Sequence, residues 1–104
     1  MNTSTALTER LSAALDRDDA VALLRGAIRA ESITGNEANF VGFLEGQMRA
    51  RAVDGVHVSD FLPGRPNIRG ERQGDGTGKR LLFIGHTDTV HVDGWREHWA
   101  GTER

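Results

Sequence analysis

Leu81–Val90 reads LLFIGHTDTV, and the interpretation of this stretch decides the fold. Leu81, Leu82, Phe83 and Ile84 form an unbroken apolar run that ends at Gly85. A short run of this kind, bounded by turn residues, predicts a strand over 80–85 with both faces covered. His86 follows at its carboxyl end, and Asp88 lies two positions further on. In open α/β sheets, functional residues gather just past the carboxyl ends of strands. In extended chain the side chains of residues i and i+2 point to the same side. An imidazole and a carboxylate so placed can touch. The carboxylate then fixes the ring tautomer and leaves the other nitrogen free for a metal. On the tripeptide alone, a His and an Asp that merely cap a turn is the competing interpretation.

Upstream, QGDGTGKR (Gln73–Arg80) is a glycine-rich loop that leads into the apolar run. It is not a phosphate loop. Gln73 stands where the first Gly would be, Arg80 follows the Lys, and the loop precedes a strand instead of following one. Before it, Val56 and Val58 alternate with His57 and Ser59, which predicts a half-buried strand. Pro63-Gly64 is a turn signal, and Asn67–Arg72 makes a second strand of the same hairpin. Pro66 restricts that strand to a start or an edge.

Earlier still the period is helical. Val21, Leu24 and Ile28 mark one face of a helix that starts near the acidic run Asp16–Asp19, where negative charge complements the helix dipole. Phe40, Val41, Leu44 and Met48 mark a second helix. Thr34 and Glu37 fit a capping box at its start. Gly42 and Gly46 cost this helix about 1 kcal/mol each relative to Ala, which close packing against a neighbour would offset. Leu7, Leu11 and Leu15 give residues 1–17 the character of an N-terminal arm or short helix. The expected class is α/β, in the order helix-helix-strand-strand-strand.

Composition removes several functions. A net charge of −2 gives no footprint for nucleic acid or a membrane surface. With no cysteine there is no disulfide and no thiolate metal site. The longest apolar run is too short to span a bilayer, and MNTSTALTER lacks the apolar core of a signal peptide. A cytoplasmic location is therefore expected. His57 falls on the polar side of its strand and reads as solvent-facing. His91 and His98 lie near Asp93 and Glu97, but Gly94 stands between them and argues against helical ligand spacing. Trp95 and Trp99 read as packing residues.

LLFIGHTDTV, followed shortly by Trp95, resembles the first metal-binding motif of a dimetal amidohydrolase family. Its members include acetylornithine deacetylase, succinyl-diaminopimelate desuccinylase, aminoacylase and carboxypeptidase G-type metallopeptidases. AVALLRGAIRAESITGNEANFVGFLEGQMRA is similar to the family's first helix, its S-x-T-G-x-E turn and its second helix. RPNIRG resembles its R-x-N strand. The resemblance covers residues 18–104 and is most specific at GHTDTV.

The resemblance implies a partial three-layer, zinc-peptidase-like catalytic domain. In it His86 is the first metal-ligand histidine, and Asp88 is the active-site residue that orients it. Glu37 and Asn67 match recurrent structural positions, while His91 and His98 match no ligand position. It further implies two divalent metal ions, zinc or else cobalt or manganese, and a small N-acyl amino acid or peptide substrate. The intact enzyme is expected to be a homodimer. The bridging aspartate, the Glu-Glu pair, a further acidic ligand and a late histidine of the pattern have no counterpart in this sequence. Residues 18–104 are thus expected to be the N-terminal part of a truncated catalytic domain, inactive by itself. A small non-catalytic α/β module that binds a partner through an open sheet edge is the alternative expectation.

Overall fold

The acidic run, the two apolar helical stripes and the alternating hairpin all form their expected elements in the computed structural model, which describes residues 2–103. The order is α1 (Thr3–Ala14), α2 (Arg17–Arg29), α3 (Ala38–Ala50), β1 (Asp54–Leu62) and β2 (Arg65–Glu71). The chain is a mixed helix-and-strand domain with a two-stranded antiparallel sheet. Among the described residues, no helix is long and apolar enough to cross a membrane.

Asn2 caps α1 by accepting the Thr5 N–H at 2.7 Å. The helix buries no residue and touches no other element. Asp16 caps α2 through the Asp19 N–H at 3.1 Å. Asp18 and Asp19 lie at its positive end and Arg29 at its negative end. Asp19 also forms a two-pronged ion pair with Arg51, just past α3, at 2.8 and 2.9 Å. The start of α2 therefore meets the end of α3, and the two helices run antiparallel. They approach closely at Gly26, where an added Cβ would lie 2.7 Å from the Phe43 ring. Gly42 and Gly46 have open space instead. The close packing expected of those two glycines occurs one helix earlier.

In the hairpin, Val58 pairs with Ile68 and Ser59 with Asn67. Val56 and Val58 are half-buried while His57 and Ser59 are exposed, so the alternation holds. Pro66 is the second residue of β2 and sits opposite Asp60. In a two-stranded sheet either strand is an edge, which accommodates the proline. Gly64 turns the chain with φ +74°. The hairpin packs on α3 near Gly70, where an added Cβ would lie 2.6 Å from Val53 and 3.2 Å from the Met48 sulfur. Val41, 2% exposed, is the only apolar residue that is fully buried among those described.

The third strand expected over 80–85 does not form. Leu81, Leu82, Phe83 and Ile84 are 75–86% exposed, and no strand lies beside them. Apolarity gives a segment the capacity to be a central strand, but a ladder needs a neighbour. Neither the third strand nor a three-layer sheet is therefore present among the described residues. The radius of gyration, 16.7 Å, exceeds the roughly 13 Å of a compact domain of this length. The excess fits a chain whose most apolar segment is left uncovered.

Candidate functional site

The apolar segment ends at a point that is firmly held. Thr89 N–H donates to the Ser32 carbonyl at 2.8 Å, and Thr34 N–H donates to the Thr89 carbonyl at 3.0 Å. These two bonds form a short parallel bridge between Ile33 and Thr89. The buried Ser32 hydroxyl adds a bond to the Thr87 carbonyl. The turn before α3 and the motif after the apolar run are thus docked together across more than fifty residues of chain.

The expected capping box does not form, because its groups are used here. The Thr34 N–H goes to Thr89, and its hydroxyl donates to Asp88 Oδ2 at 2.8 Å. Glu37 instead accepts the Gly35 N–H at 2.8 Å. Gly35 has φ +93°, a conformation that favours glycine. The helix consequently starts at Ala38, with no side-chain cap.

His86 and Asp88 come together as expected. His86 Nδ1 lies 2.8 Å from the Asp88 carbonyl and 3.0 Å from Asp88 Oδ1. Both neighbours are acceptors, so Nδ1 carries the hydrogen and donates. A neutral ring then keeps its lone pair on Nε2, the atom left for a ligand. The Thr34 hydroxyl, followed by the His86 ring, holds the Asp88 carboxyl below its ordinary range. A carboxylate that stays ionised is a consistent acceptor for the ring N–H.

Opposite the pair lies the hairpin end of β2. A cleft of about 300 Å³ is lined by Glu37, Arg65, Asn67, Phe61, His86 and Asp88, among others. Arg65 Nη2 donates to Glu37 Oε1 at 2.6 Å. Arg65, followed by the Gly35 N–H, holds the Glu37 carboxyl down to about 2. The field of Asp88 acts on Arg65 as well, so three charges border the cleft.

Compared with protein-family models, curated proteins and solved structures, the chain matches none. The family resemblance therefore rests on the residues themselves. Glu37 and Asn67 line the cleft, Glu37 paired with Arg65. His98 bonds through Nδ1 to the Trp95 carbonyl and packs edge-on against Trp99. His91 is exposed. Among the described residues, no group of three or more His, Asp or Glu side chains is placed to hold a metal. The donor set thus fits one corner of a metal site and not a whole one. Sequence reasoning passed over Thr34 and Arg65 as site residues. The signal for both was present, since Thr34 sits in the S-x-T-G-x-E turn and Arg65 opens R-x-N.

Proposed function

We propose that this chain is the N-terminal portion of a metal-dependent hydrolase that cleaves amide bonds in N-acyl amino acids or small peptides. The observation that carries the reading is the His86–Asp88 pair. A ring whose Nδ1–H is donated to a carboxylate, with Nε2 left for a ligand, is the usual setting of a metal-bound histidine. His86 would offer Nε2 to one divalent ion, and Asp88 would hold the ring's tautomer and aim. When bound, the ions, zinc or else cobalt or manganese, supply Lewis acidity and an activated water. One nitrogen is too few for such a site. The remaining ligands and the general base would come from chain beyond these residues, within a three-layer zinc-peptidase-like domain of a cytoplasmic homodimer. The exposed run Leu81–Ile84 would be covered by that further chain.

The test uses the complete reading frame that contains this sequence. It should hydrolyse N-acyl amino acids with zinc or cobalt and lose activity on chelation. His86→Ala should cost about 100-fold or more. The 104-residue chain alone should show no hydrolysis. Full activity in the His86→Ala enzyme would sink the ligand assignment, and hydrolysis by the short chain would sink its reading as a portion.

The same exposed run favours a second reading, a non-catalytic module that captures a partner along an open edge. A monodisperse, metal-independent oligomer in sedimentation, with native secondary structure, would support it. Aggregation or a molten state would count against it.

A further inference from the structure

We infer that Thr34 is a positioning residue for the His86–Asp88 pair, clamping the Asp88 carboxylate so that its other oxygen meets the ring. The inference rests on the proposed reading of that pair. Thr34 is already docked by its backbone, whose N–H bonds to Thr89. The side chain is not needed for that bridge. The hydroxyl has one hydrogen, and its nearer acceptor is Asp88 Oδ2 at 2.8 Å, with the Thr89 carbonyl further off at 3.2 Å. The Thr89 carbonyl is supplied by the amide, so the hydroxyl proton falls to the carboxylate.

What this contact fixes is a torsion. The terminal torsion of an aspartate is broad and holds no preferred plane by itself. At Asp88, one carboxylate oxygen is held from behind by Thr34, and the other stands 3.0 Å from His86 Nδ1. Without the clamp the carboxylate plane can turn, and Oδ1 leaves the ring. The Asp88 carbonyl, at 2.8 Å, would remain as a neutral and weaker acceptor. The ring would then lose the charged partner that fixes its tautomer and aim. Thr34 lies 54 residues before Asp88, so a turn far upstream completes the geometry of the His-x-Asp motif.

The experiment reads the His86 ring directly in the 104-residue chain carrying Leu82→Lys/Ile84→Lys, which removes two exposed apolar side chains that would drive association. The readout is the ring-nitrogen resonances at alkaline pH, where free imidazoles are neutral. Asp88→Ala sets the scale, because it removes the carboxylate altogether. Thr34→Val, which keeps the branched shape, should move the Nδ1 resonance in the same direction. Thr34→Ser should leave it near the parent position. In the Thr34→Val/Asp88→Ala double variant the Thr34 effect should vanish, since it acts only through the carboxylate.

A shift in Asp88→Ala with none in Thr34→Val overturns the clamp and leaves the pair intact. No shift in Asp88→Ala overturns the pair itself, and the metal reading with it. Backbone amide resonances of α3 and the hairpin report whether each variant is folded. Should Thr34→Val lose them, Thr34→Ala is read in its place. Loss of the fold in both overturns the inference, since Thr34 would then hold the turn and not the carboxylate.

Discussion

Glu37 and Arg65, 28 residues apart, meet as an ion pair with the carboxylate at 3% exposure and the guanidinium at the rim of the cleft. The pair ties the start of α3 to the start of β2. A buried carboxylate is tolerated only because Arg65 and the Gly35 N–H satisfy it. Glu37→Gln leaves the guanidinium without its charge partner, and Tm should fall by about 5 °C in a thermal scan.

The same pair makes the fold acid-sensitive in a defined direction. The Glu37 carboxyl titrates near 2 in the folded chain, against an ordinary value of 4.5. Between these values the folded state binds fewer protons than the unfolded one. The pair's contribution is therefore complete above pH 4.5, declines as pH falls, and is lost below about 2. Asp19, lowered by Arg51, adds to the trend. Urea midpoints taken at about pH 3 and pH 6 should differ less in Glu37→Gln than in the parent. An equal difference would remove Glu37 from the account.

Leu81–Ile84 should make the isolated chain associate. Four consecutive apolar side chains, 75–86% exposed on backbone that belongs to no strand, offer a template for another strand. The Leu82→Lys/Ile84→Lys variant should bind less of an apolar dye and sediment as a smaller species. Its circular dichroism should match the parent, because neither side chain is packed.

The sequence carried the helices and the hairpin because each is decided locally. Asp16–Asp19 marks a helix start by charge, and Val56 and Val58 mark a strand by alternation. The third strand does not follow from the sequence, because the apolarity of Leu81–Ile84 describes what it can bury, not what lies beside it. His86 and Asp88 were legible because two residues of extended chain place them together. Thr34 has the spacing of a cap, and only the docking of its turn on Thr89 brings its hydroxyl to Asp88. Contacts made across 54 residues of chain leave no periodic trace in a sequence.

The glycines of the helices should separate cleanly by substitution. Gly42→Ala and Gly46→Ala add a methyl group to open space in a helix interior. Each should stabilise the chain by about 0.5–1 kcal/mol in urea unfolding. Gly26→Ala gains the same helical preference but drives a Cβ to 2.7 Å from the Phe43 ring. The overpacking costs about 1–3 kcal/mol, so this variant should be neutral or destabilised. A stabilised Gly26→Ala would mean that α2 and α3 do not meet there.

Removal of residues 1–14 should leave the rest of the fold unchanged. The helix α1 buries nothing and meets no other element. Leu7, Leu11 and Leu15 are exposed, so their stripe faces solvent and contributes no packing. Its own N-cap at Asn2 cannot compensate, since a helix of this length without tertiary contacts is marginal in water. The shortened chain should therefore keep its urea midpoint, and limited proteolysis of the parent should cut first between α1 and α2, around Leu15. A lower midpoint in the shortened chain would show that the leucine stripe is packed in solution.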